Sequence, residues 1–354
     1  TMGTNKKSHL KYVVCACVLV MYSMYNFFGV GDYLHSKSFD NDFDYPLNVD
    51  IKSIVNDVLA GKKVTVTPIN YYPYRFLTNS GKCSTTDTLD LFIVVKSAMN
   101  HFGHRDTIRK TFGRENVPGR TVKTLFFLGI DGELKSDLQK EIDKEMANYK
   151  DIIQIDFIDS YFNNTIKTMM SFRWLFEHCA AADYYLFTDD DMYISVNNLL
   201  AYIHDREATR IPELKHVTHK VSSIEPKSDY LFTGYVFNSA PQRFKSSKWW
   251  VSFEEYPWDK WPAYVTAGAY VVSNKAMKDM YVASLYVKHF RFDDIYLGIV
   301  AKKVGITPKH CPDFYFYKKW FSYYGYLNVI ASHGYEDHEE LLRVWNVMND
   351  YISN

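Results

Sequence analysis

Between residues 89 and 188 the chain alternates short apolar runs with segments of helical spacing, and few folds accommodate that alternation. LDLFIVVKS (89–97), TVKTLFFLGI (121–130), DIIQIDFID (151–159) and DYYLFT (183–188) are nearly continuous in apolar residues, as strands covered on both faces are. RDTIRKTFG (105–113), SDLQKEIDKEMANY (136–149) and TIKTMMSFRWLFEHCAAA (165–182) lie between them with helical periodicity, and Ser136 stands as an N-cap. The order predicts an α/β fold, a mostly parallel sheet with right-handed crossovers flanked by helices.

The fourth strand runs into LFTDDDMYISV (186–196), three consecutive aspartates between apolar neighbours. Ligands of open α/β sheets bind outside the carboxyl ends of the strands. Adjacent carboxylates repel one another and are costly to bury unpaired, so a cation is expected at Asp189, Asp190 and Asp191. These are hard oxygen donors suited to Mn²⁺ or Mg²⁺ and, through the metal, to a diphosphate. The bland alternative is a solvated acidic turn.

A second acidic pair, Asp293 and Asp294, opens a helical segment in HFRFDDIYLGIVAKKVG (289–305). First-turn acids ordinarily cap helices, but a carboxylate reaching the site can serve as a general base. Arg105, Arg109 and Lys110 follow the first strand and Lys167 begins the third helix, where a basic group can meet phosphate or simply be solvated. WWVSFEEYPWDKWPAYVTAGAYVVS (249–273) combines aromatic rings with acids, which suits either a carbohydrate platform or an aromatic core hairpin.

Lys plus Arg and Asp plus Glu both number 41, so no global basic surface points to nucleic acid. YVVCACVLVMYSMYNFFGV (12–30) has no charge and is long enough, at ~1.5 Å per residue, to cross the ~30 Å bilayer core. Lys6, Lys7, His9 and Lys11 precede it and Asp32, Asp40, Asp42 and Asp44 follow, which predicts a cytosolic N-terminus and a remainder in the lumen or outside the cell. No A-x-A-like cleavage site follows the run, which favours an uncleaved anchor over a signal peptide. Residues 31–88 read as a stem, with a short helix around 51–59. Cys83, Cys179 and Cys311 are left for the lumenal part, enough for one intramolecular disulfide. Asn163-Asn164-Thr165 is a glycosylation sequon.

RDTIRKTF (105–112), FFLG (126–129), DIIQIDFIDSYFNNTIKT (151–168), DDDMYISVNNLL (189–200), EEYPWDKWPAYVTAGAYVVS (254–273) and DDIYLG (293–298) follow one another in an order that resembles glycosyltransferase family 31, over roughly 89–348. The resemblance implies a GT-A fold, a single-pass type II Golgi membrane enzyme, and inverting β-1,3 transfer from UDP-galactose or a UDP-N-acetylhexosamine to a glycan acceptor. The domains would be a cytosolic tail (1–11), an anchor (12–30), a stem (31–88) and a lumenal catalytic domain (89–354).

By the same resemblance, Asp191, Asp189 and His333 would hold Mn²⁺ or Mg²⁺. Arg105, Arg109, Lys167, Asp189 and Asp190 would surround the nucleotide. Asp294, beside Asp293, would be the base, and Trp258, Tyr264 and Glu255 would meet the acceptor. Phe187 stands where the family often has lysine, Phe112 replaces Trp, Asp293 replaces Glu, and TAGAY replaces SGGGY. Thr266, Ala267 and Ala269 would reshape the sugar pocket of the family, which leaves the donor open. Two other readings compete. One is a haloacid-dehalogenase-like phosphatase, which also pairs a strand-end DxD with later acids. The other is a non-catalytic lumenal carbohydrate-binding protein.

Overall fold

The computed structural model describes residues 3–83, 88–134, 136–204 and 230–352. Residues 84–87 of the expected stem lie outside them, as do the chain's first two and last two residues. The chain divides into two compact units, Thr1–Tyr45 with Asn238–Pro262, and Pro46–Phe237 with Ala263–Asn354.

The larger unit is built on one mixed sheet. Its strands are β1 (Leu89–Lys96), β2 (Asn116–Val117), β3 (Arg120–Ile130), β4 (Ile152–Ile158) and β5 (Ala182–Asp189), then, beyond β6 (Tyr193–Ile194), β7 (Phe232–Phe237), β8 (Tyr264–Ser273) and β9 (Lys309–His310). They lie in the order β2-β3-β1-β5-β8-β7-β9, with β4 also on β3. β4, β3, β1 and β5 run parallel, and β8 turns the sheet antiparallel at β5. The four parallel strands are the four apolar runs of the sequence, and Leu91 to Val95 of β1 are wholly buried, as double coverage requires. Helices Phe102–Lys110, Asp137–Tyr149 and Asn164–His178 connect them. The helix Asp137–Tyr149 starts where Ser136 Oγ accepts from Gln139 N at 3.1 Å. A small second sheet pairs β10 (Phe314–Tyr315), β11 (Ala331–Ser332) and β6.

The second half of the expected stem is folded rather than extended. Helix Ile51–Leu59 is capped by Asp50, which accepts from Ser53 N at 3.1 Å. It buries Ile51, Ile54 and Val55 and packs on helices Asn274–Ser284 and Asp293–Val304. Each such side chain contributes about 1.5–3 kcal/mol, which a solvated spacer forgoes. Leu77 N donates to Gln154 O at 2.8 Å, and a Cys83–Cys179 disulfide ties the segment to the end of helix Asn164–His178. Cys311 is free and buried.

In the smaller unit, helix Gly3–Phe27 contains the apolar stretch His9–Phe27, with mean hydropathy 1.4 and none of it buried, although Phe27 at its end packs edge-on against Phe244 at 5.0 Å. The length and composition are compatible with a membrane anchor. Downstream, Lys37 pairs its backbone with the aromatic segment, donating to Pro257 O at 2.8 Å and accepting from Asp259 N at 2.9 Å. Arg243 fixes that segment by donating to the carbonyls of Val251, Ser252, Tyr256 and Trp258 at 2.7–3.1 Å.

Candidate active site

The site lies at the carboxyl ends of β1 and β5, and its centre is a lysine that the sequence reading passed over. β1 and β5 are in register with Lys96 opposite Asp189. The Lys96 side chain is 2% exposed, and its ammonium lies 3.1 Å from Asp189 Oδ1 and 2.9 Å from Asp293 Oδ2. It also donates to Ala267 O at 3.3 Å. Burial alone would lower its pKa, but the two carboxylates outweigh burial and hold it above its usual value. One cation thus joins the strand-end aspartates to the later acidic pair.

Asp293 also accepts from Thr168 Oγ1 at 2.9 Å. Burial opposes its charge, but Lys96 and Thr168 prevail and its pKa is lowered. Asp294 has the opposite fate. Burial, then the negative charge of Asp293, push its pKa up to about 7, although its Oδ1 accepts from Ile295 N at 2.7 Å. Two neighbouring carboxyls with pKa values driven apart suit acid–base chemistry near neutrality. Asp189 is likewise raised, to about 6, by burial and by Asp191 and Asp293, against the pull of Lys96.

Asp190 faces the loop after β1. Its Oδ2 accepts from Ser97 Oγ at 2.6 Å, Ala98 N at 3.3 Å and His101 Nδ1 at 3.0 Å. Its burial would raise the pKa, yet the hydrogen bonds, His101 foremost, lower it overall. Arg105 holds the same loop. It is fully buried and donates to Ser97 Oγ at 3.0 Å, to Met99 O at 2.9 Å and to Glu145 at 2.7–3.1 Å.

Arg109 lies against Glu145 and Asp151, each at 2.7 Å, with its guanidinium over the Tyr149 ring at 3.8 Å. Lys167 is committed to Ser97 O and Asp159, both at 2.8 Å. These three cations therefore brace the loop and sheet with donors already engaged. An internal carboxylate sits on each of Arg105, Arg109 and Lys167, expected at the nucleotide, and these ion pairs position the loop and sheet around the site.

Asp191 Oδ2 lies 3.1 Å from His333 Nε2, and its Oδ1 is buried with no hydrogen-bond partner. The small sheet sets this pair, since Tyr335 N donates to Asp191 O at 2.8 Å and His333 N to Tyr315 O at 3.1 Å. An orphaned buried carboxylate oxygen beside an imidazole fits a divalent cation in charge and donor type. Among the described residues, however, no group of three or more His, Cys, Asp or Glu is gathered closely enough to hold a metal. Asp189 turns to Lys96 instead of joining Asp191, so the protein would supply Asp191 and His333 and leave other positions to a ligand.

A cleft of about 180 Å³ opens over these groups, lined among others by Asp189, Thr266, Gly268, Ala269, Phe316 and His333. Tyr264 is half-buried in β8 and stacks on Phe237 at 5.8 Å. Trp258 belongs to the smaller unit and is 3% exposed. Its ring packs on Phe43, Tyr45 and Tyr256, and its Nε1 donates to Asp42 O at 2.7 Å. A ring so covered offers no face to a sugar, and the platform expected at Trp258 is a core. Glu255 lies in the same unit, its backbone N donating to Ser252 Oγ at 3.2 Å. Asn163 is half-buried just before helix Asn164–His178, donating from Nδ2 to Ile158 O at 2.8 Å.

Lys96, Ser97, His101 and Thr168 are the participants missed in the sequence. The available signal was a lysine closing an otherwise apolar parallel strand, where a charge needs a partner.

Comparison with known proteins identifies the family. The Galactosyltransferase family profile matches residues 103–312. The chain is 37% identical over 347 residues to "Beta-1,3-galactosyltransferase brn" of Drosophila melanogaster, covering 96% of this chain and 97% of that one. It is 35% identical over 282 residues to a lactosylceramide 1,3-N-acetyl-beta-D-glucosaminyltransferase of Mus musculus, covering 78% of this chain and 68% of that one. Among solved structures, the WbbM bifunctional glycosyltransferase aligns with TM-score 0.39 at 12% identity, over 77% of this chain and 53% of that one. With a family profile spanning most of the larger unit and a relative matched along nearly its whole length, the chain is a glycosyltransferase of the β-1,3-galactosyltransferase family.

Proposed function

We propose that the protein transfers a hexose or N-acetylhexosamine, galactose in the first instance, from a UDP-sugar to a hydroxyl of a glycan on protein or lipid. Transfer would invert the anomeric carbon and form a β-1,3 linkage. The enzyme would sit in the Golgi membrane with its N-terminus cytosolic, its larger unit lumenal, and Asn163 available as a glycosylation site. The carrying observation is that Lys96 bridges Asp189 and Asp293, which ties the strand-end aspartates to the carboxyl pair containing Asp294.

In this reading Asp294 removes the proton from the acceptor hydroxyl as that oxygen attacks the anomeric carbon. Its pKa of about 7 leaves it largely ionised at slightly alkaline pH while giving it more basicity than an ordinary carboxylate. Asp293, kept ionised by Lys96 and Thr168, maintains the negative field that raises Asp294. Asp191 and His333 would hold Mn²⁺ or Mg²⁺. The ion, when bound, supplies Lewis-acid stabilisation of the charge that develops on the departing diphosphate. Asp190, bound to Ser97 and His101, would set the loop after β1 on the nucleotide side. Thr266 and Ala269 line the cleft and set the room left for the donor sugar.

The test is a transfer assay on the full chain in detergent, with a panel of UDP-sugars, β-galactoside and β-N-acetylhexosaminide acceptors, and Mn²⁺. Formation of a β-1,3 product from one UDP-sugar is expected. No transfer from any donor contradicts the reading.

A further inference from the structure

In the aromatic segment 249–273, Tyr256, Trp258 and Trp261 are buried, but a different set of rings is displayed from Phe316 onward. Phe316 lines the cleft together with Asp189 and His333 and is itself 41% exposed. Beyond it, Tyr317 is 49%, Trp320 91% and Tyr324 80% exposed. Inward, Phe316 packs on Tyr235 at 4.6 Å and Phe237 at 4.9 Å, so the display continues a half-buried aromatic cluster.

The backbone that carries these rings is anchored. Lys319 N donates to Ser332 Oγ at 3.0 Å, and Tyr326 Oη donates to Lys319 O at 2.8 Å. Lys319 Nζ donates to Tyr315 Oη at 3.0 Å and lies over that ring, while Lys318 pairs with Glu340. Ser322 caps the turn that follows, accepting from Gly325 N at 3.2 Å. The backbone that carries the rings is thus fixed, so binding would order side-chain rotamers and not the chain itself.

Building on the proposed function, we infer that Phe316, Tyr317 and Trp320 form an extended acceptor subsite for an oligosaccharide. Sugars beyond the one bearing the attacked hydroxyl stack on these rings. The occupant follows from continuity: Phe316 belongs to the cleft with His333, and Tyr315 is hydrogen-bonded to His333 through the backbone. A chain leaving that cleft past Phe316 meets ring faces, and the apolar faces of pyranose rings are complementary to aromatic faces.

The experiment compares full-length protein with Trp320→Ala and Trp320→Phe, titrating lactose and lacto-N-neotetraose by saturation-transfer NMR. Trp320 is so exposed that truncation is tolerated by the fold. The wild type is expected to bind the tetrasaccharide more tightly than lactose, Trp320→Ala to lose about five- to tenfold of that advantage, and Trp320→Phe to recover most of it. Unchanged tetrasaccharide affinity in Trp320→Ala overturns the inference. So does Trp320-dependent binding to phosphatidylcholine vesicles with no oligosaccharide binding, which would make the surface lipid-facing. Because binding is read without turnover, Trp320-dependent tetrasaccharide binding in a protein that transfers no sugar sustains this subsite and overturns the proposed function instead.

Discussion

The Lys96 ammonium lies 2.9 Å from the Asp293 carboxylate across 197 residues of chain, buried from water at both ends. A paired charge in that setting is stabilising only while both partners remain, because either one alone is an uncompensated buried ion. Lys96→Met is therefore expected to cost about 3–5 kcal/mol, read as a shift of the urea midpoint. An unchanged midpoint would mean that the pair carries no stability.

The pH dependence follows from Asp294. Its carboxyl is raised to about 7, and only the ionised form accepts a proton. Below that value the base is protonated, so kcat/KM is expected to fall about tenfold per pH unit and to level off above it. Burial is the first cause of the raised Asp294 pKa and the Asp293 charge the second, so Asp293→Asn, which removes only the second, is expected to move the acidic limb part of the way to lower pH. A limb that stays in place would separate Asp293 from the tuning of Asp294.

Arg105 and Arg109 separate structural from nucleotide roles. Arg105→Lys cannot reproduce the fork reaching Ser97, Met99 and Glu145, and is expected to lower the melting temperature and, through Ser97 and Asp190, to raise the donor KM. Arg109→Lys disturbs the contacts with Glu145, Asp151 and the Tyr149 ring, none of them at the strand-end aspartates, and is expected to lower stability while leaving the donor KM unchanged. An increase in donor KM for Arg109→Lys would return Arg109 to the nucleotide site.

The Cys83–Cys179 bridge closes a 96-residue separation and secures the residues that precede β1. Cys83→Ser with Cys179→Ser is expected to destabilise the protein by about 2–4 kcal/mol in chemical denaturation. No change would show that the packing of helix Ile51–Leu59 alone holds that segment.

Much of this was legible because it is local. The four apolar strands, the Ser136 cap, helix Ile51–Leu59 and the position of the aspartates all follow from short-range pattern and strand-end logic. What escaped was set by tertiary partners. Nothing near Lys96 announces Asp293, and nothing near Trp258 announces Phe43 and Tyr45, since composition does not distinguish a ring that stacks on sugar from one that fills a core. Arg105 and Arg109 looked like phosphate ligands because Glu145 and Asp151, which engage them, come from a later helix and the turn after it.

Asp294 is the proposed proton acceptor, and single-turnover transfer by Asp294→Asn tests that role most directly. The isostere keeps the shape of the site and removes the base, so transfer is expected to slow by about 10²–10⁴-fold while UDP binding, followed by calorimetry, is retained. Transfer at the wild-type rate would contradict it.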